Sequence, residues 1–243
     1  MIHHIDHRTM GRGIHGWLDS HFHFSFAEYC NPGNVQFGVL RVLNDDLVQA
    51  GTGFDTHPHK NMEIISYVVN GELSHRDSMG NERTLSRGQV QYMSAGTGVA
   101  HSEYNHGQEL LRFLQIWIFP NRDGYSPNYG DVRFKLEDRY GRWLAIASPM
   151  DEDGGSAPIR IHADVHVYAS IISPGSSLDF ELTPGRQAYA ALIEGEARLE
   201  GSAGSSAVLF MRDAAEITGE SFTVLSAKSQ AEGAHLLVIE MAS

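Results

Sequence analysis

Gly51-Thr-Gly-Phe-Asp-Thr-His57-Pro-His59-Lys-Asn-Met-Glu63 is followed, past a glycine-rich stretch, by His101-Ser-Glu103-Tyr-Asn105, and these two segments decide the fold. In each, two potential metal ligands stand two residues apart. A strand turns residues i and i+2 to the same face, so each pair can point at one spot. Three imidazoles and a carboxylate suit a first-row transition metal, with positions left open if the metal is five- or six-coordinate. Between the segments, Ile64-Ile-Ser-Tyr-Val-Val69 runs into Asn70-Gly71, the signal of a two-residue hairpin. A second tight turn is expected at Met79-Gly80-Asn81. The expectation is a small β-barrel with a metal at its mouth.

Outward from this core, short strand-like runs recur up to about residue 120: Gln36–Leu43, Glu63–Val69, Glu72–His75, Val90–Ser94 and Leu111–Phe119. Glycine, asparagine and aspartate punctuate them as in a sandwich or barrel. Residues 1–30 read as irregular, although Phe22, Phe24 and Phe26 alternate as on a half-buried strand. Pro120–Asp131 has the composition of an inter-domain linker.

The second half repeats the style, with nine short runs from Ile159–His162 to His235–Glu240. Matching Glu194-Gly195 to Asn70-Gly71 sets His57 on Glu181, His59 on Thr183 and Glu63 on Gln187. The register recurs and the ligands do not. The chain therefore reads as all-β, two antiparallel barrels in tandem by duplication. The first (1–130) binds the metal; the second (131–243) is degenerate and lacks ligands. Helix is expected to be scarce, with Arg212–Ile217 the stretch most easily misread.

At 243 residues the chain has room for two domains of about 100–120 residues. Apolar residues at 42% and charged ones at 20% exclude a disordered chain. A net charge of −12 without any Lys/Arg cluster argues against a nucleic-acid surface. No run approaches 18 apolar residues, and the N-terminus lacks the apolar core of a signal peptide, so a cytoplasmic location without membrane contact is expected. The single cysteine, Cys30, allows no internal disulfide and reads as a small buried residue or an inert thiol.

Most of the fourteen histidines cannot be ligands. His57, His59 and His101 support one another through their spacing. For the carboxylate, the residues leave two candidates: Glu63 has the parity of His57 and His59, and Glu103 shares a face with His101. His21 and His23 form a decoy His-x-His within an aromatic stretch, placed to shape a pocket rim. His3, His4 and His7 read as terminal and solvated. His75 and His106 flank the motifs and can approach the cavity, without an assigned catalytic role. Gly88, Gly96 and Gly98 read as turn glycines, since neither a helix pattern nor Lys-Ser/Thr follows them. Barrel-lining aromatics, with Met62 or Met93, are expected to supply apolar walls.

The pattern Gly51-x5-His57-x-His59-x3-Glu63, then Gly88 and His101-x3-Asn105, resembles the two motifs of the cupin superfamily. Glu63 to Gly71 is one residue longer than the common form. Ser94 stands where proline is usual, with two extra residues before His101. These departures, together with Thr56-His-Pro-His-Lys-Asn-Met-Glu-Ile-Ile-Ser-Tyr67, Met93-Ser-Ala-Gly-Thr-Gly-Val-Ala-His-Ser-Glu103 and His15-Gly-Trp-Leu-Asp-Ser20, are similar to the pirin family. The resemblance covers residues 12–130 strongly and the remainder by architecture.

It implies a bicupin with one metal held by His57, His59, His101 and Glu103, leaving Glu63 to support a ligand imidazole. Iron(II) comes first, with nickel, cobalt, manganese, copper or zinc as alternatives. The implied activity is that of a quercetin 2,3-dioxygenase. A flavonol hydroxyl would bind the metal and Glu103 would take its proton, before the heterocycle opens with O2 and releases carbon monoxide. The implied partners are a small aromatic substrate and O2, with a monomer expected because fused barrels can cover their own edges. The family also includes an iron-binding co-regulator, so a metal-responsive binding protein is the alternative. A cupin enzyme for another small molecule is the third.

Overall fold

The computed structural model describes residues 1–151, 157–228 and 233–243. Strand β1 (Ile2–Ile5) opens the chain. It is followed by β2 (Gly11–Ile14), β3 (Leu18–Phe22), β4 (Leu40–Val48), β5 (Thr52–His59), β6 (Glu63–Asn70), β7 (Glu72–Asp77), β8 (Glu82–Ser86), β9 (Gln89–Ser94), β10 (Val99–Asn105), β11 (Leu111–Ile118) and β12 (Asn128–Arg133). The second half contributes β13 (Leu144–Pro149), β14 (Ile159–Ile161), β15 (Val165–Ile172), β16 (Ser177–Phe180), β17 (Arg186–Glu194), β18 (Glu196–Gly201), β19 (Ser206–Phe210), β20 (Ala214–Thr218), β21 (Phe222–Ser226) and β22 (Ala234–Ala242). Two single-turn 3-10 helices, His7–Thr9 and Leu136–Arg139, are the only helices among the described residues. The all-β expectation holds, and Arg212–Ile217 is no helix: β20 covers most of it after a positive φ at Arg212.

One unit comprises Met10–Phe134 with Ile161–Ala163. It is a jelly-roll sandwich of a seven-stranded antiparallel sheet, β12-β9-β6-β11-β4-β3-β2, and a four-stranded one, β5-β10-β7-β8. Val68, Leu111 and Phe113 of the larger sheet pack with Leu73 and Leu85 of the smaller, closing one end with a dry core. Strand β10 carries the period-2 signature clearly, with Val99, His101, Glu103 and Asn105 buried and the residues between them half-exposed.

The other unit comprises Met1–Thr9, Lys135–Arg160 and Asp164–Ser243. Its sheets are β1-β20-β17-β22-β15-β13-β14 and β16-β21-β18-β19, the same seven-plus-four plan. Apolar side chains fill its interior, among them Phe180, Leu182, Leu199, Phe222 and Val224. The boundary expected at residue 130 differs at two places. Residues 1–9 belong to this second unit, because β1 pairs in register with β20 (Ile2 opposite Ile217, Ile5 opposite Ala214) and the chain behind it is tied to Asp213. Pro120–Asp131 is not a linker either: β12 adds to the edge of β9, from Asn128 opposite Ser94 to Arg133 opposite Gln89.

The turn at Asn70-Gly71 is a corner and no hairpin. Strand β6 pairs with β9 and β11, whereas β7 pairs with β8 and β10, so the chain changes sheets at Gly71. Glu194-Gly195 does the same between β17 and β18. Both glycines have positive φ (77° and 87°) and lie against a crossing backbone. A Cβ on Gly195 would stand 2.2 Å from the Gly233 carbonyl oxygen. The recurrence seen in the sequence is thus the repeated corner of two jelly rolls. Gly195→Ala is expected to destabilise the fold by about 2 kcal/mol or more, read as a fall in Tm with metal content retained. By contrast, Met79-Gly80-Asn81 joins a true hairpin, β7 to β8.

Candidate metal centre

Strands β5 and β10 are antiparallel neighbours, with His57 directly opposite His101. Strand β5 is an edge strand, which is why Pro58 is tolerated between the two histidines. A bulge follows between His101 and Glu103, so that Glu103 stands opposite Phe54. The outcome is a tight group of rings: His57–His59 4.8 Å, His57–His101 4.6 Å and His59–His101 4.8 Å between centroids. One nitrogen from each lies within 4.8 Å of the other two.

Protonation and tautomer suit a metal. Burial pushes His59 down to about 4 and His101 to about 3, with neighbouring imidazoles adding to the effect, so both rings keep their lone pairs at neutral pH. His57 Nδ1 lies 2.7 Å from the Asp55 carbonyl and donates to it, which leaves Nε2 as the free donor atom. His101 Nε2 is buried and has no hydrogen-bond partner among the described residues. A buried imidazole nitrogen of this kind fits a metal ligand.

Glu103 faces a row of polar side chains on the larger sheet. Gln91, Ser66 and Gln115 are direct neighbours across β9, β6 and β11. Gln91 Nε2 donates to Glu103 Oε1 at 2.7 Å, the Ser66 hydroxyl lies 2.9 Å from the same oxygen, and Gln115 Nε2 donates to Oε2 at 2.6 Å. Tyr129 in turn donates to Gln91 Oε1 at 3.1 Å. The carboxylate is therefore fixed from behind, and one of its oxygens groups with His101 and His75 within 4.8 Å.

His75 is the residue that sequence reasoning undervalued. It is buried on β7, next to β10, and stacks on Tyr129. Its Nδ1 lies 3.4 Å from His101 Nδ1 and its Nε2 lies 3.1 Å from Asp77 Oδ2. With both nitrogens engaged, His75 has no lone pair left for a metal. If His101 binds through Nε2, its Nδ1–H donates to His75, which then donates to Asp77. Burial works against the Asp77 charge, but hydrogen bonds from Asn81 and His75 hold its carboxyl below the usual range. The signal was available: His75-x-Asp77 repeats the two-residue spacing of the ligand pairs. His75→Ala or Asp77→Asn is expected to weaken metal binding about 10–100-fold, as groups that orient a ligand do, measured by competition with a chelator.

The remaining candidates fall elsewhere. Glu63 is buried, and burial pushes its carboxyl up; its bonds run to the Ser94 hydroxyl (2.6 Å) and the His162 amide (3.4 Å), and not to an imidazole. Its parity with His57 is lost because residues 60–62 turn the chain from β5 into the opposite sheet. His21 and His23 do not shape the pocket; Ser20 and Phe22, on the other face of β3, do so. His106 stacks on Tyr104. His4 and His7 are not merely solvated, since both bond to Asp213. Cys30 is exposed, contrary to expectation. Met62 and Met93 pack with Ile64 and Val99 in a small core and do not wall the cavity. Gly96 is a packing glycine whose Cβ would collide with the Tyr125 carbonyl. Glu181, the counterpart of His57, is exposed.

Beside the histidines opens a cavity of about 410 Å3, lined by His57 and Glu103 and walled by Trp17, Phe22, Phe26, Phe54 and Trp117. The Trp117 ring meets His59 edge-on at 4.8 Å. That size and aromatic lining suit a small planar ligand.

A jelly-roll sandwich with His-x-His on one strand and His-x-Glu on its neighbour, beside an aromatic cavity, defines a protein of the cupin class whose clustered histidines could hold a metal ion, and the duplicated plan makes it a bicupin. The sequence profile described as Pirin matches residues 4–118, and that of the quercetinase C-terminal cupin domain matches residues 145–241. A pirin-like protein of Caulobacter vibrioides is 39% identical over 223 residues, spanning 92% of this chain and 93% of that one. A quercetin 2,3-dioxygenase of Escherichia coli K12 is 41% identical over 192 residues, 79% of this chain and 80% of that one. The crystal structure of the bacterial pirin YhhW of Escherichia coli in complex with nickel(II) superposes with a TM-score of 0.87 at 34% identity, covering 100% and 99% of the two chains. The chain belongs to the pirin family. No helix among the described residues is long and apolar enough to cross a membrane.

Proposed function

We propose that the protein is a metal-dependent dioxygenase that opens a flavonol such as quercetin with O2 and releases carbon monoxide. The observation that carries this reading is the adjacency of a three-imidazole cluster and a hydrogen-bonded carboxylate to an aromatic-walled cavity of about 410 Å3. The name of the Escherichia coli relative points the same way. His57, His59, His101 and Glu103 would hold the metal. Iron(II) is the proposed ion; nickel(II) also suits a nitrogen-rich set, and the YhhW structure is a complex with nickel(II).

A divalent ion held by His57, His59, His101 and Glu103 would supply Lewis-acid chemistry, lowering the pKa of the substrate's 3-hydroxyl. Glu103 would receive the proton at a carboxylate oxygen, while Gln91 and Ser66 at Oε1 and Gln115 at Oε2 keep the carboxylate in place. Trp17, Phe54 and Trp117 hold the flat rings and exclude water. In the balanced reaction both atoms of O2 stay in the organic product, and one carbon of the heterocycle leaves as carbon monoxide.

The test is to load the protein anaerobically with iron(II), admit air, and follow quercetin absorbance together with carbon monoxide. Metal-dependent loss of quercetin with matching carbon monoxide supports the reading. A fully metallated protein that leaves quercetin intact overturns it, in favour of a metal-responsive binding role or of another small-molecule substrate.

A further inference from the structure

A short polar stretch interrupts the aromatic lining of the cavity. Asn44 and Asp46 stand two apart on β4, and their register partners on β3 are Phe22 and Ser20. All four line the cavity. Asp46 is only 4% exposed. The Ser20 hydroxyl donates to its Oδ1, and this is the one hydrogen bond the carboxyl makes among the described residues. Oδ2 is left without a protein donor. Asn44 Oδ1, in the same wall, is likewise buried and unpartnered.

The neighbouring carboxylate shows the contrast. Asp45 points to the other face of the strand, where Arg112 meets both its oxygens at 2.9 and 2.6 Å. A buried acceptor without a donor is costly to keep, and natural proteins keep few of them. Asn44 Oδ1 is such an acceptor, and beside it Asp46 Oδ2 receives no protein donor, so this stretch of wall marks a position where a ligand brings the donors. Neither Lys nor Arg lines the cavity.

We propose that Asp46, braced by Ser20 and flanked by Asn44, is a specificity-determining residue that accepts a hydroxyl hydrogen from a planar aromatic ligand. It thereby selects polyhydroxylated aromatics over analogues lacking that hydroxyl. The proposal rests on the reading of this cavity as the substrate site and adds which substrates it prefers. The aromatic walls favour a flat ligand, and the acceptors Asn44 Oδ1 and Asp46 Oδ2 favour one that donates a hydrogen bond. Burial pushes the Asp46 carboxyl up to about 7, opposed by the Ser20 bond and reinforced by Asp45 and Glu103.

The experiment measures binding, not turnover. Metal-loaded protein is titrated under anaerobic conditions with flavonols that all keep the 3-hydroxyl and differ one by one in the remaining hydroxyls. Quenching of tryptophan fluorescence reports affinity, because Trp17 and Trp117 line the cavity. The wild type is expected to favour the ligand bearing one particular hydroxyl by about 10–100-fold, and Asp46→Ala to bring that ratio near one while metal content and affinity for the stripped ligand stay the same. Ser20→Ala and Asp46→Asn are expected to reduce the ratio partway, and they carry the test if Asp46→Ala does not fold. A ratio unaffected by all three variants overturns the proposal. Turnover with an Asp46-independent ratio would remove this proposal and leave the dioxygenase reading standing. An Asp46-dependent ratio without turnover would do the reverse.

Discussion

His101→Ala is expected to give a folded protein that retains no metal after dialysis and opens no flavonol. Among the three clustered imidazoles, His101 has the strongest grounds for this outcome. It is buried, its Nε2 has no other partner, and its Nδ1 is the link to the His75–Asp77 pair. Loss of groups that merely orient a ligand costs about 10–100-fold in metal affinity, so loss of the ligand itself should exceed that. Metal analysis after dialysis, with carbon monoxide release in air, checks both parts. Stoichiometric metal in the variant would remove His101 from the ligand set. The companion variants His57→Ala and His59→Ala should behave alike, since their rings share the same cluster.

Glu103→Gln should separate metal binding from chemistry. The amide is nearly isosteric but cannot take a proton, so turnover should fall by about 10²–10⁴-fold, the usual worth of a positioned general base, while most of the metal stays. Stability should fall as well. Both oxygens of Glu103 accept from amide donors, Gln91 and Gln115, and an NH2 group at either position would confront one of them. Gln115 could turn its amide, but its oxygen already accepts from Ser66. The expected cost is about 1–3 kcal/mol for a buried donor left unpaired, visible as a lower Tm of the metal-free protein. Survival of activity, together with loss of both metal and activity in Glu63→Gln, would transfer the ligand role to Glu63.

Much of this was legible because β-structure writes its period into the chain. The alternation through Val99–Asn105 and the paired spacing at His57/His59 and His101/Glu103 identify strand faces without reference to any neighbour. The choice between Glu63 and Glu103 needed more than parity. Both have the right period, but residues 60–62 carry the chain into the opposite sheet, and there Glu63 meets Ser94 and His162. Asn70-Gly71 illustrates the same gap. A two-residue hairpin was expected there; Gly71 has the positive φ of a tight turn, yet the dipeptide does not say whether the next strand folds back on β6 or crosses to β10.

The first thirty residues were the least readable. Their strands are short, and β1 finds its partner in β20, more than two hundred residues away. No local pattern announces such a pairing. Phe22 was recognised as part of an alternating stretch, but its place in the cavity wall follows from its position opposite Asn44 on β4. Cys30 was misread for a related reason. Residue type favours burial for a free cysteine, whereas its loop leaves it in solvent.

By itself the sequence determined that this is an all-β chain, twice built on one plan, with three histidines placed to cluster in the first copy. Those properties depend on spacing along a strand, and spacing is local. Only the tertiary structure decided what stands across from each strand: the Gln91–Ser66–Gln115 row behind Glu103, the His75–Asp77 pair behind His101, and the buried Asn44 oxygen beside the Ser20-bonded Asp46 in the cavity wall. Such contacts arise between segments far apart in the chain, where sheet order and register set the distance.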